Sequence, residues 1–296
     1  MLPVVFGVLL LTFLLVHLVP GDPVEVMLGE SASGADRVAL RAELGLDQSL
    51  PKQFADYLGK LAHGDFGVSI HGRVAIAGLL AERIPATARL ALLALAMALL
   101  VGLPLGIVAA LHQHRWPDRL ATLSALTLSA MPHFWLGPLL MLVFAVWLGW
   151  LPVSGMESSA SIVLPALTLA SGLAAILTRM ARASLLEVLG EDFVRTARAK
   201  GLPERVVVLR HALKAALLPV VTVVGLQLGS LLAGAVITET VFGWDGVGRL
   251  LVESIEKRDY PVTQACVLVI ALTYVLVNLL TDFVYARLDP RVRFSA

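Results

Sequence analysis

A chain of 296 residues that is 58% hydrophobic, only 15% charged and has a mean hydropathy of +0.84 is too apolar for a water-soluble domain of this length. Its formal net charge of +1 excludes nothing by itself, because attraction to nucleic acid needs a basic face rather than a balanced total; no nucleic-acid partner is expected for a chain of this class. The single cysteine, Cys266, lies in an apolar run, which excludes a disulfide framework and a thiolate metal cluster.

Only a helix satisfies all its backbone polar groups within hydrocarbon, and crossing about 30 Å takes roughly 20 apolar residues. Six stretches qualify, near 2–19, 90–111, 120–148, 162–178, 215–238 and 261–281, so the expected fold is an all-α integral membrane protein with six transmembrane helices. The first run has no basic residues ahead of it. Nor does His17-Leu18-Val19-Pro20-Gly21-Asp22 offer a small-x-small cleavage site, so the run reads as an uncleaved span rather than a secretory signal. In the segment 21–83, Phe54, Leu58 and Leu61 recur at helical spacing after Pro51, and Gly64 is placed to stop the helix; a small helical cap outside the membrane is expected. The third run holds Pro132 followed by His133 and is expected to kink there.

Orientation follows from the cations of the short loops, which stay on the cytoplasmic side. The segment between the fourth and fifth spans carries Arg179, Arg182, Arg195, Arg198, Lys200, Arg205, Arg210 and Lys214, whereas residues 151–161 carry neither Lys nor Arg. Arg115 and Arg119 join the basic side, as do Arg287, Arg291 and Arg293. Both termini are then expected in the cytoplasm, with 21–83 and 239–260 outside. The cations of 21–83 do not upset this order, because a segment of that length translocates largely regardless of charge.

Within the basic loop, Glu191-Asp192-Phe193-Val194-Arg195-Thr196-Ala197-Arg198-Ala199-Lys200-Gly201-Leu202-Pro203 reads as a short helix. Acidic residues open it, basic residues crowd its last turn, and Gly201 then Pro203 end it, with Gly201 expected in a left-handed conformation. Leu189, Phe193, Val194 and Ala197 give it an apolar stripe. One reading is an amphipathic helix on anionic lipid headgroups. The other is a helix docked in a protein groove, for which small Ala197 and Ala199 beside Phe193 are suited.

The run Arg195-Thr196-Ala197-Arg198-Ala199-Lys200-Gly201, with His211-Ala212-Leu213 and Leu218-Pro219 beyond, resembles the EAA loop of ABC importer permeases. It departs from the general pattern in having Arg195 for Glu and Leu213-Lys214 for Leu-Pro, departures that fit the peptide branch. Gly64-Asp65-Phe66-Gly67-Val68-Ser69 and Val19-Pro20-Gly21-Asp22-Pro23 resemble the same branch. So do Glu239 to Gly248, which includes Phe242-Gly243-Trp244-Asp245, the run Arg258-Asp259-Tyr260-Pro261-Val262, and the ending Leu288-Asp289-Pro290-Arg291-Val292-Arg293. Asp245 stands where the branch usually has proline. The branch also begins with a short basic stretch, so Met1-Leu2-Pro3 reads as a truncated or later start.

The resemblance is to the first, B-type pore subunit of dipeptide, oligopeptide, glutathione and nickel permeases. It implies a type I ABC importer permease in a bacterial inner membrane, passing peptides, with glutathione or nickel chelates as alternatives. The implied layout is a first span (1–20), an external periplasmic segment with short helices (21–86), a core of five spans with a coupling loop at 179–214 (87–286), and a cytoplasmic tail (287–296). The implied coupling residues are Asp192, Phe193, Arg195, Thr196, Ala197, Arg198, Ala199, Lys200, Gly201 and Leu202, which would seat in a cytoplasmic ATPase. A second, C-type permease and a periplasmic substrate-binding protein are the other implied partners. Glu239, Phe242, Trp244 and Tyr260 are candidates for the surface or outer gate that receives cargo, or equally for aromatic anchors at the lipid interface.

The chain has no Gly-x-x-x-x-Gly-Lys-Ser/Thr phosphate loop, so ATP and Mg belong to a separate ATPase and no cofactor is expected here. An intramembrane enzyme is disfavoured, since neither His-Glu-x-x-His nor Gly-x-Ser-x-Gly on a span occurs. An ion-coupled secondary carrier would need paired ionisable residues near the midplane, and His17 and His133 are the candidates.

Overall fold

The computed structural model describes residues 2–18, 24, 34–43 and 47–288, which are helical apart from connecting turns and one isolated antiparallel bridge, Val68 with Ala75. The elements are α1 (Leu2–Leu18), α2 (Gly34–Glu43), α3 (Leu50–Ala62), α4 (Ile76–Leu111), α5 (Trp116–Ala130) and α6 (His133–Leu140), the last continuing as a π-wound stretch, Met141–Trp147. A 3-10 turn, Ser159–Ile162, leads into α7 (Val163–Leu189), followed by α8 (Asp192–Ala199) and α9 (Glu204–Val206). A second π-wound stretch, Val207–Ala212, then runs into α10 (Leu213–Phe242), and α11 (Val247–Glu256) and α12 (Tyr260–Leu288) complete the chain. The motifs at 19–23 and 289–293, and the side chain of His17, lie outside the described residues.

Among the described residues four stretches are long and apolar enough to cross a membrane: Ile76–Leu111, Ser159–Leu189, Glu204–Gly229 and Tyr260–Phe283. Two expected spans remain. The third is not one kinked helix but two, Trp116–Ala130 and His133–Trp147, bent by 109°. Proline restricts its predecessor to extended backbone, and Met131 is extended (φ −84°, ψ 122°), so the chain cannot stay helical into Pro132. The other is the first, whose described part is α1, Leu2–Leu18, 17 residues of the expected run 2–19. The second span is longer than expected. At 36 residues α4 is about 54 Å long, well beyond the hydrocarbon thickness, and it absorbs residues 76–89 that had been placed before the span.

The chain forms two compact units, one of residues 1–87 and 245–275, the other of 88–244 and 276–296. In the first, Phe54 of the expected stripe on α3 lies against α1, and Tyr57, which was not part of that stripe, lies beside it. Phe54 meets Phe6 and Phe13 at ring separations of 5.9 and 5.2 Å, and Tyr57 meets Phe13 at 5.8 Å. Gly64 (φ +74°) follows the end of α3, as its position predicted. Ile76 and Leu80 of α4, Val247 and Leu250 of α11, and Val262, Ala265 and Cys266 of α12 form a single apolar core.

The second unit is organised around α7, the most buried span, 67% of whose apolar window is inside the protein. Gly102 and Gly106, one turn apart on α4, let that helix touch α7 backbone to backbone. A Cβ at Gly102 would sit 2.7 Å from the Ala174 carbonyl oxygen, and one at Gly106 would sit 2.6 Å from that of Thr178. Thr178 Oγ1 also donates to the Gly102 carbonyl at 3.2 Å. In lipid, where apolar surface gains nothing by leaving the solvent, close backbone approach of this kind is what binds helices together.

Candidate functional site

Helix α8 forms where the sequence places it, and its ends follow the expected chemistry. Glu191 is the extended N-cap residue, Asp192 occupies the first turn, Arg198 the last, and Gly201 takes φ +75° immediately beyond. No atom lies within 4 Å of a Cβ built on Gly201, so glycine is used there for backbone conformation and not for space.

The helix has two faces. Val194 (0% exposed) and Ala197 (7%) point inward and join Ala110 of α4, Leu185 of α7, Val207 and Ala212 of the second π-wound stretch, and Ala216 of α10. Asp192, Phe193, Arg195, Thr196, Arg198, Ala199, Lys200, Gly201 and Leu202 are exposed, with Phe193 at 45% and Leu202 at 37%. The apolar stripe read from the sequence is therefore split. Residues 194 and 197 are three apart and share a face, while 193 is turned about 100° away from 194. Ala197 packs the helix onto its own body and does not face a partner, contrary to the expectation that it borders Phe193 on a docking surface.

Ion pairs hold the exposed face in shape. Arg195 meets Asp192 at 2.8 Å, and Arg198 makes a two-pronged pair with Glu204 at 3.1 and 2.6 Å across the Gly201 turn. The hydrogen-bonded Glu204 carboxylate raises the Arg198 guanidinium above its ordinary pKa. Exposed pairs of this kind contribute little stability; their effect is to set the angle at which the chain leaves α8.

The external candidates are placed differently from their sequence reading. Glu239 (0% exposed), Phe242 (1%), Trp244 (4%) and Tyr260 (8%) are all buried, so none offers an open receiving surface or a lipid-interface anchor. Phe242 fills the space above Gly137, where a Cβ would lie 3.0 Å from its ring. Gly243 (φ +61°) ends α10, and Trp244 N–H closes the cap on the Glu239 carbonyl at 2.8 Å. Asp245, in place of the usual proline, pairs with Arg83 at 2.7 Å and Arg249 at 2.9 Å.

Two polar sites were missed. Asp118, 4% exposed, receives Arg182 Nε and Nη2 at 2.5 and 2.8 Å and the His114 N–H at 2.9 Å, tying the start of α5 to α7. The signal for it was present, since Asp118 is the only carboxylate between Glu82 and Glu157. The other joins two of the family-like motifs: Ser69 Oγ donates to the buried Asp259 at 2.5 Å, and Ile70 N–H does so at 3.3 Å. Residues 190 positions apart gave no pairwise signal in a single sequence. Among the described residues no cluster of three or more metal-ligating side chains occurs.

A family model described as "Binding-protein-dependent transport system inner membrane component" matches residues 102–294, and the model of its N-terminal part matches residues 2–91. The chain is 45% identical over 295 residues, 100% of its own length and 96% of the relative's, to the glutathione transport system permease protein GsiC of Escherichia coli strain K12. The same identity and coverage hold for GsiC of Shigella dysenteriae serotype 1. Among solved structures, it superposes on a chain of the inward-facing MetNI methionine ABC transporter. The TM-score is 0.61 at 19% identity, covering 71% of this chain and 96% of the other. An amino acid ABC transporter chain gives 0.53 at 17% identity, covering 73% and 94%. The helical fold is therefore shared with these importer chains.

Proposed function

The chain belongs to the family of binding-protein-dependent transport system inner membrane components, and from that premise we propose that it is half of the pore of an ATP-driven importer of short peptides, glutathione among them. Members of this family are multi-pass permease subunits of ABC importers and not enzymes. In this reading a cytoplasmic ATPase binds ATP and Mg, a second permease completes the pore, and a substrate-binding protein delivers cargo from outside. Both termini face the cytoplasm.

The observation that carries the coupling role is the geometry of α8. One face is anchored by Val194 and Ala197 in a core that α4, α7 and α10 share, so a push on the helix is transmitted to three long helices rather than absorbed locally. The other face presents a half-exposed Phe193 and an exposed Leu202 flanked by Arg195 and Lys200. An exposed aromatic between charged neighbours fits an anchor for a protein groove. Support for the cargo is the full-length similarity to a glutathione permease, glutathione being itself a tripeptide. The ion-coupled carrier finds less support: His133 holds a backbone carbonyl through Nδ1, and among the described residues no ionisable side chain is paired with it.

The reading is tested in vesicles that contain the purified importer with its ATPase and binding protein, supplied with labelled glutathione and labelled dipeptides. Uptake should require hydrolysable ATP. Uptake that persists without an ATPase subunit would overturn it in favour of a carrier.

A further inference from the structure

Where the third span breaks, the second unit has a half-open cavity of about 180 Å³. Its walls come from both sides of the break (Ser129, Met131, His133), from α7 (Gly172) and from α10 (Gln227, Leu231). Gly172 stands about 14 Å along α7 from Val163, and Gln227 near the middle of α10, so the cavity lies deep within the spans.

Three observations fit a water-filled space. Non-helical backbone at membrane depth is tolerated only where protein or water covers it, and the Ala130–Pro132 break lies against this cavity. The Gln227 amide has no side-chain hydrogen bond among the described residues, an arrangement that would be costly against lipid and is not costly against water. His133 lies in a slot between two glycines, its Nε2 3.5 Å from a Cβ built on Gly172 and 3.8 Å from one built on Gly234. Its Nδ1 is 3.2 Å from the Thr168 carbonyl, which can only accept, so Nδ1 is the donor there, and the tautomer this bond selects has Nε2 as its acceptor.

The chemistry on offer is neutral and two-sided: a carboxamide that both donates and accepts, an imidazole acceptor, and the Ser129 hydroxyl, which itself donates to the Leu126 carbonyl. Among the described residues no Asp, Glu, Lys or Arg lines the space. It would hold several waters, or one peptide unit with a small side chain, but not a whole tripeptide. We infer that this cavity is a station on the translocation path that grips cargo by an uncharged backbone amide, with Gln227 as its principal contact. The inference rests on the peptide reading above. A neutral one-unit grip suits passage, because it is strong enough to admit cargo without charge pairing that would hold it there.

The test uses the complete importer in vesicles, with trialanine and the same compound carrying an ester in place of one backbone amide. The wild type should carry trialanine about tenfold faster than the ester, because the ester lacks the N–H that would donate to the Gln227 carboxamide oxygen. Gln227→Leu, similar in volume and more readily accommodated in a membrane helix, should bring that ratio close to one. Ser129→Ala should reduce it in part. In a Cys266→Ala background, Gln227→Cys should react with a charged, water-borne thiosulfonate and be protected by transported cargo. Equal discrimination by wild type and Gln227→Leu, or no reaction at Gln227→Cys, would overturn the station and leave the importer reading intact. Failure of the wild type to carry trialanine or glutathione would overturn the peptide reading, and this assignment with it.

Discussion

Phe193→Ala separates docking from folding. The side chain is 45% exposed, and a phenylalanine presents roughly 200 Å² in all, so about 90 Å² is available to a partner. At about 25 cal/mol per Å² its burial is worth about 2 kcal/mol, or some 30-fold in affinity. The measurement is binding of the purified ATPase subunit to the permease pair in nanodiscs, alongside thermal unfolding of the pair alone. Phe193→Ala should weaken binding by roughly that factor and leave the unfolding temperature within a degree or two. Val194→Ala, inside the shared core, should lower stability by about 1–2 kcal/mol first and affect binding only through it. Unchanged ATPase affinity for Phe193→Ala, with folding intact, would refute the assignment of the exposed face.

Further outcomes follow from the packing. Gly106→Ala should cost about 1–3 kcal/mol, read as a lowered unfolding temperature in detergent, because the added methyl meets the Thr178 carbonyl oxygen and the Ala181 Cβ, 2.8 Å away, neither of which can move freely. Asp118→Ala should destabilise by about 3 kcal/mol, since Arg182 is then left without its carboxylate, and the double variant with Arg182→Met should recover part of the loss. Gly201→Ala should cost about 1 kcal/mol through backbone strain alone and impair ATPase coupling more than folding, checked by transport per ATP hydrolysed. Ser69→Ala, which leaves Asp259 with the longer contacts from the Ile70 and Val262 N–H groups and the His71 ring, should cost about 1–2 kcal/mol in the same unfolding measurement.

The α8 helix was legible because its signals are local. The Glu191–Asp192 opening, the Arg198–Lys200 close and Gly201 act within one or two turns, and a helix of eight residues followed. The apolar runs were legible for the same reason, and all but the first and third became helices of full spanning length. The third broke where a proline rule, also local, said that continuity would fail; the rule located Pro132 without stating that the bend would reach 109°. Ala197 shows where such reading ends. Periodicity sets which residues share a face, but not which face the protein keeps for itself.

The sequence by itself determined where most of the chain is helical, which segments lipid can surround, and where the short helix of the basic loop begins and ends, because propensity, hydropathy and capping depend on near neighbours. Tertiary structure decided what each face touches. It turned Val194 and Ala197 inward and Phe193 outward, buried Glu239, Phe242, Trp244 and Tyr260, and set Gly102 and Gly106 against α7. It also brought Asp118 to Arg182 and Ser69 to Asp259. Each of these depends on residues 60 or more positions away or on another helix, and in a uniformly apolar chain many pairings satisfy the hydropathy equally well; close packing and hydrogen bonding select among them.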